Sequence, residues 1–132
     1  MPTFASYNEQ FDAKGRVVRD GDVFTTDSSN GHTVASFPTS FNAWASLPTR
    51  TGTGVWKLTL RDPAFRILCV LVKALTTTAN YVDVIMQPVT ANTAGQAVVN
   101  WTFVTAGTTT AADIAASQQF EVFVVYSEAS IA

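Results

Sequence analysis

Alternation of apolar and polar residues with a period of two runs through the second half of the chain and constrains its fold more than any other feature. In residues 55–61, Trp56, Leu58 and Leu60 fall on one face of an extended backbone, opposite a face that includes Lys57 and Thr59. The alternation recurs in residues 81–89, 96–105 and 120–128. Such β-branched and aromatic residues fit a pleated surface, so the sequence predicts four half-buried strands.

Residues 66–74 predict a fifth strand of a different kind. They are apolar on both faces, which is typical of a strand in the middle of a two-layer sandwich. Cys69, the single cysteine of the chain, lies among them and is predicted to be a buried core thiol. Strands at regular spacing, joined by turns rich in Thr, Asn and Gly, predict an all-β fold, an antiparallel β-sandwich or jelly roll.

The composition changes near residue 53. Residues 1–53 are rich in Ser, Thr, Asn, Asp, Gly and Pro, and their aromatic residues are spaced singly without a sustained period. We expect only short extended pieces on either side of a turn at Asp20-Gly21, and a helical turn near residues 41–47. The sequence therefore predicts an extended, irregular N-terminal arm in residues 1–53, followed by a β-sandwich domain in residues 54–132.

Charge and hydropathy exclude several classes of partner. Only 14% of the 132 residues are charged, the net charge is -2, and like charges never run beyond a pair. This argues against nucleic acid, which requires clustered Lys and Arg. No stretch has the length of a membrane span, and the first residues lack the basic start and apolar run of a secretory signal. We expect synthesis in a reducing cytoplasm and no membrane partner.

The polar residues do not define a reaction. His32 and either Asp27 or Asp113 could belong to a Ser-His-Asp catalytic site. No sequence motif indicates which serine would be the nucleophile, so we expect His32 to be a solvated loop residue. One Cys and one His exclude the usual zinc sets. Asp20, Asp22 and Asp27 are close in sequence but lack the calcium-loop pattern. We predict no enzymatic activity, no catalytic residue, no metal and no cofactor.

Two carboxylates lie on predicted strands, Asp83 and Glu121. On one sheet face they would form the pair of acids that glycoside hydrolysis requires. Their more ordinary role is surface charge or a contact with a nearby cation, Lys57, Arg61 or Lys73. We therefore expect no glycosidase site.

Four segments carry a family resemblance: GVWKLTL at 54–60, VVNWTFV at 98–104, ADIA at 112–115 and FEVFVV at 120–125. In their succession the chain from residue 54 onward resembles the capsid decoration, or cement, proteins of tailed bacteriophages and the related trimeric jelly rolls of the tumour necrosis factor type. The resemblance implies a structural virion protein. It would sit as a homotrimer on the outer surface of the head and clamp neighbouring subunits of the major capsid protein together.

The aromatic residues divide into two groups. Trp56 and Trp101 lie at strand period and are expected in the core or at a subunit interface, rather than stacking on sugars or bases. The separated aromatics of the N-terminal half are the predicted capsid or subunit contacts: Phe4, Tyr7, Phe11, Phe37, Phe41 and Trp44. The sandwich face around Lys57, Thr59 and Arg61 is the alternative contact surface.

Two other functions remain open from the sequence. The first is a trimeric tail-fibre or receptor-binding head domain whose loops recognise a host glycan. The second is a small secreted lectin-like module, which the absence of a signal peptide and of disulfides disfavours.

Overall fold

The structure, a computed structural model, describes residues 17–62 and 64–128. These residues form short and long strands and two 3-10 turns, at Phe41–Ala43 and Thr78–Asn80, without an α-helix in the described ranges. The strands are β1 (Val17–Thr26), β2 (Val34–Ser36), β3 (Thr49–Gly52), β4 (Val55–Thr59), β5 (Ala64–Leu75), β6 (Val82–Met86), β7 (Thr90–Ala91), β8 (Ala97–Thr105) and β9 (Gln119–Glu128).

The strands form two antiparallel sheets that pack face to face, which confirms the predicted β-sandwich. Sheet I has the strand order β2-β1-β9-β5, and sheet II has the order β3-β4-β8-β6 with the short strand β7 also paired to β8. In sheet I, β9 pairs with β1 over residues 17–25 and with β5 over residues 64–75. The last described strand therefore forms the middle of its sheet.

Residues 17–52 contribute strands to both sheets rather than an arm. Strand β1 lies next to β9, and β3 forms a hairpin with β4. The predicted turn at Asp20-Gly21 instead lies inside β1, where the two residues face Val124 and Phe123 of β9. Nine consecutive residues of β1 pair with β9, and this ladder overrides the local turn preference. The composition change near residue 53 falls in the β3–β4 hairpin, and residues 1–16 lie outside the described residues.

An aromatic cluster forms the core between the sheets. Phe120 of β9 is fully buried, and its ring centroid lies 5.4 Å from that of Trp56, 5.9 Å from that of Trp101 and 5.6 Å from that of Phe103. Trp56 and Trp101 face each other directly in the β4–β8 ladder and are both fully buried. Both tryptophans therefore belong to the core of the chain. The sequence had left open the core or a subunit interface for them.

The 3-10 turn before β3 closes one side of this core. Phe41 is fully buried with its ring 4.7 Å from Phe24, and Trp44 is buried with its ring 5.5 Å from Phe41. The indole Nε1 of Trp44 donates a hydrogen bond to Oδ2 of Asp22 at 2.7 Å. Phe37 packs against the same cluster and is partly buried. These three predicted contact residues thus pack inside their own chain.

Strand β5 differs from its prediction. It comes last in the order of sheet I rather than in the middle, and Cys69 is exposed rather than buried. The register shifts between Ile67, which faces Tyr126, and Cys69, which faces Val125. Because such an irregularity changes which residues point inward, Cys69 falls on the outward side while Ile67 packs on the core.

Candidate functional site

A polar cluster centred on Asp113 lies in the irregular segment between β8 and β9. Its carboxylate accepts two hydrogen bonds from Arg50 of β3, from Nε at 2.8 Å and from Nη2 at 3.0 Å. The backbone N–H of Gly54 donates to the same carboxylate at 2.7 Å. The His32 Nε2 atom lies 3.3 Å from Oδ2. Asp113 therefore joins the β3–β4 hairpin to the loop that carries His32.

That loop, residues 27–33, is organised by Asp27. The carboxylate of Asp27 accepts hydrogen bonds from four backbone N–H groups and one hydroxyl, those of Ser29, Asn30, Gly31 and Thr33. These donors, the N–H of Asn30 and the hydroxyl of Thr33 foremost, hold the pKa of Asp27 far below its ordinary value. The carboxylate thus stays ionised and acts as the centre of the loop.

Hydrogen bonds to the segment that precedes β9 also hold this loop in place. The hydroxyl of Thr26 donates to the carbonyl of Ala115 at 2.8 Å, and the N–H of Ser117 donates to the carbonyl of Asp27 at 2.9 Å. Gly31 has a φ of 73°, and its α-carbon faces the carbonyl of Ile114 so closely that a β-carbon would collide with it. These contacts place His32 beside Asp113.

The electrostatics of Asp113 favour a structural role. The hydrogen bonds from Arg50, followed by that from Gly54, lower its pKa below the ordinary value of 3.8, and the pKa of Arg50 is raised in turn. An ionised carboxylate already held by a guanidinium is a poor acceptor for a substrate proton. The carboxylate of Asp113 therefore ties the β3–β4 hairpin to the segment between β8 and β9.

A cleft of about 310 Å³ lies beside this cluster. The described residues that line it include no serine; they are His32, Thr33, Val34, Leu47, Pro48, Thr49 and Arg50. Of the two acids considered for a Ser-His-Asp site, the structure brings Asp113 to His32 and commits Asp27 to its own loop. Among the residues of the cleft that the structure describes, none supplies the serine of such a site, and the His32 side chain is 39% exposed.

The three carboxylates considered as calcium ligands, Asp20, Asp22 and Asp27, each have a different hydrogen-bond partner. Asp20 accepts from the hydroxyl of Tyr126 at 3.1 Å, whereas Asp22 binds Trp44 and Asp27 binds its loop. Within residues 17–62 and 64–128, no three His, Cys, Asp or Glu side chains are placed to hold a metal ion.

Asp83 and Glu121 lie in different sheets. Asp83 of β6 accepts from the N–H of Gly107 at 2.8 Å, and this bond, with one from Tyr81, lowers its pKa. Glu121 of β9 faces Lys73 across the β5–β9 ladder, as the sequence suggested for one of these acids. The paired carboxylates of a glycosidase are not assembled.

A second candidate site is apolar and lies on the outward side of sheet I. Two adjacent rows of residues cross strands β1, β9 and β5 on this side. The first row is Gly21, Phe123 and Leu71, and the second row is Arg19, Val125 and Cys69. Leu71 is 52% exposed, and Leu68, at the register shift, is 45% exposed. We call the group Leu68, Cys69, Leu71, Phe123 and Val125 the apolar patch.

Charged residues border the apolar patch. Arg19 lies at the β1 end of one row, and the next row places Glu121 opposite Lys73. Arg19 and Lys73 are both exposed. An apolar centre with a polar rim is the usual anatomy of a protein-protein contact. The sequence contained a signal for this patch, because Phe123 and Val125 occupy the solvent-facing positions of the final alternating strand.

No helix within the described residues is long and apolar enough to cross a membrane. The chain matches no protein-family model, no curated protein and no solved structure. The geometry of the two candidate sites therefore carries the functional argument.

Proposed function

We propose that this protein is a structural virion protein, a decoration protein that binds the outer surface of a bacteriophage head and stabilises it. The observation that carries the proposal is the apolar patch on sheet I. The core of the chain is already complete without it, because Phe120, Trp56 and Trp101 are fully buried between the sheets. Apolar side chains left outside a complete core are typical of a surface that binds another protein.

The polar cluster supports the same proposal by its chemistry. Asp113 and Asp27 are both occupied by hydrogen bonds that stabilise loops, and the described residues that line the cleft beside them include neither a serine nor a cysteine. A protein that acts through surface contact needs no reacting group. The resemblance of the strands from residue 54 onward to capsid decoration proteins supplies the partners, the major capsid protein and further copies of this chain in a homotrimer.

The test is binding to phage heads that lack this protein, measured by co-sedimentation. Leu71→Asp places a charge in the apolar patch at an exposed position, so the fold is expected to survive and the bound fraction to fall at least about tenfold. Lys57→Glu, on the outward side of sheet II, is the matched control and should bind normally. If Lys57→Glu abolished binding and Leu71→Asp did not, the contact would lie on sheet II around Lys57, Thr59 and Arg61.

A second candidate function is a tail-fibre or receptor-binding head domain that recognises a host glycan. The cleft beside His32 favours it, because Arg50 and Thr49 place polar side chains around a concave surface. Labelled copies would then lie at the tail tip rather than over the head in images of intact particles. Arg50→Lys would also weaken glycan binding.

A further inference from the structure

We propose that copies of this chain assemble edge to edge, with strand β5 of one copy paired to strand β6 of the next copy. The occupant of each sheet edge is thus a second copy of the same chain. The inference names the contact between copies in the homotrimer of the proposed function, and it rests on that function for the number of copies alone. Its test uses the isolated protein, without phage heads.

Strands β5 and β6 lie at the ends of their sheets. Within the described residues, β5 pairs with β9 alone and β6 pairs with β8 alone, so each strand has one edge without a ladder partner among them. Strand β5 has 12 residues, most of them apolar, and contains no proline. A long apolar edge strand of this kind is a template for pairing with a strand of another chain.

Exposed apolar side chains concentrate on the same two strands. In the ranges that the structure describes, the large apolar side chains that are exposed come from β5, from β6 and from the residues that flank β6, and they are Leu68, Leu71, Leu75, Tyr81, Met86 and Val89. Tyr81, just before β6, is 54% exposed. Such a concentration on one side of a sandwich is typical of a surface that binds another protein.

The fold fixes how the two strands would align. Residues 76–81 connect β5 to β6 and reverse the chain, so the two strands run in opposite directions. A groove of about 300 Å³ separates them, lined by residues 72–74 on one side and by residues 81–84 on the other. Lys73 and Asp83 therefore lie at the same level along the strands.

Copies related by a rotation axis parallel to the strands keep every residue at its level. Such an axis places β5 of one copy antiparallel to β6 of the next copy, with Lys73 beside Asp83. The alignment of the two edges thus follows from the arrangement of β5 and β6 within a single chain.

The charges of the two edges favour this pairing. Lys73 is exposed on β5, and Asp83 is the charged residue of β6. A hydrogen bond from the N–H of Gly107 at 2.8 Å, with one from Tyr81, lowers the pKa of Asp83 and keeps its carboxylate ionised. Lys73 would then lie between Glu121 of its own sheet and Asp83 of the next copy. Opposite charges that meet across an interface help to fix its register.

Two copies of β5 would be less complementary to each other. The sequence of β5 contains cations and no acid, so pairing β5 with β5 brings like charges to one interface. The sequence of β6 contains an acid and no cation. Charge therefore favours β6 over β5 as the partner of β5.

The apolar residues agree with the register that the charges define. With Lys73 opposite Asp83, Leu71 meets Ile85 and Leu75 meets Tyr81 on the outward side of the joined sheets. All 5 residues of β6 find partners in residues 70–74 of β5, beyond the register shift at residues 67–69. Apolar pairs on either side of an ion pair are the arrangement that stabilises neighbouring strands.

Edge pairing leaves the apolar patch free for a further partner. Side chains on the outward side of a sheet stay on that side when a strand is added at its edge. The patch would continue from Leu71 onto Ile85 and Tyr81 of the next copy. Assembly of the copies and binding to a shell are therefore compatible.

Cys69 and Gln87 provide the test, because the same register places them opposite each other, each four residues from the Lys73–Asp83 pair. Both residues are exposed, so Gln87→Cys is expected to fold. Mild oxidation of this variant with diamide should give disulfide-linked dimers and trimers on a non-reducing gel. Adding Cys69→Ser should remove these bands.

The matched control is Lys57→Cys, which places an exposed cysteine on β4 and keeps Cys69. It should remain a single chain after the same oxidation. A Gln87→Cys protein that stays a single chain, or that forms the bond only within one chain, would overturn the inference. Dimers without trimers would support the β5–β6 contact and contradict the homotrimer of the proposed function.

A second measurement uses variants at one exposed position. Tyr81→Glu places a carboxylate against Leu75 of the next copy and should raise the dissociation constant between copies at least about tenfold, as measured by light scattering over a concentration series. Tyr81→Phe keeps the apolar surface and should associate like the natural chain. A natural chain that is monomeric at every concentration and yet binds phage heads would overturn this inference and leave the proposed binding to heads intact.

Discussion

The aromatic ring of Phe123 lies across Gly21, its direct neighbour in the β1–β9 ladder. The Cδ1 atom of Phe123 is 2.9 Å from the position that a β-carbon on residue 21 would take. The absence of a side chain at residue 21 thus gives the ring its place on the outward side of sheet I. This pair sets the shape of the apolar patch.

Gly21→Ala should therefore have opposite effects in two backgrounds. In the natural chain the added methyl group displaces the Phe123 ring and should lower the free energy of unfolding by about 1–2 kcal/mol. In a Phe123→Ala background the same change should raise it by about 0.4–1 kcal/mol, because alanine restricts the unfolded chain. Urea unfolding of the four proteins measures both values. Equal effects in the two backgrounds would show that the ring and the glycine are independent.

Gly54 and Gly52 form a matched pair in the β3–β4 hairpin. Gly54 has a φ of 69°, and a β-carbon there would lie 2.5 Å from the carbonyl oxygen of Phe103, whereas nothing lies within 4 Å of a β-carbon on Gly52. Gly54→Ala should cost about 2–3 kcal/mol of stability. Gly52→Ala should change it by less than about 0.5 kcal/mol. Thermal unfolding distinguishes them, and similar melting temperatures would contradict the geometry at Gly54.

Asp113→Asn should destabilise the protein in a pH-dependent way. Loss of the ionised partner of Arg50 is expected to cost about 1–3 kcal/mol at pH 7. Because the pKa of Asp113 is lowered in the folded state below 3.8, its contribution is present above that value and is lost as the pH falls through the folded pKa. The difference between the natural chain and the variant should therefore shrink below about pH 4.

Urea titrations at several pH values would show this trend. The exposed Asp62, changed to Asn, serves as the control with a difference of less than about 0.5 kcal/mol. A difference for Asp113→Asn that stayed constant to pH 2 would argue against the ion pair.

Phe120→Ala should be the most damaging single truncation among these variants. Its ring contacts aromatic rings from both sheets, and its removal leaves a cavity that the strands cannot close, at a cost of about 3–5 kcal/mol. Leu75→Ala, at a side chain that is 37% exposed, should cost less than about 1 kcal/mol. Denaturation midpoints would check both, and a small effect at Phe120 would place the core elsewhere.

The strands that the sequence predicted correctly are those with one buried face. The alternation around Trp56, Trp101 and Phe120 identified β4, β8 and β9 because the period of two reports which side faces the core. The turn expected at Asp20-Gly21 was wrong, since pairing with β9 outweighs local preference. The burial expected for Cys69 was wrong because neither a register shift nor the order of strands can be deduced from a local pattern.

The polar site was only partly accessible to the same reasoning. His32 and Asp113 were considered together, but Asp27 was an equal alternative until the fold separated them. Arg50 was missed, because an arginine in a polar segment shows no sign of a partner 63 residues away. Contacts of this range depend on the packing of loops, which the periodicity of the strands does not describe.

The central position of β9 has a consequence for how the protein forms during translation. Val17 finds its ladder partner 110 residues later, at Ser127, so β1 has no neighbour on that side while most of the chain is being made. Sheet I can close only after residues 119–128 have left the ribosome, whereas β4 and β8 of sheet II are already available to each other. Pairings this distant in sequence slow folding and leave strand edges open to other nascent chains. Among the described strands, chaperone demand in the producing cell should accordingly be greatest just before β9 emerges.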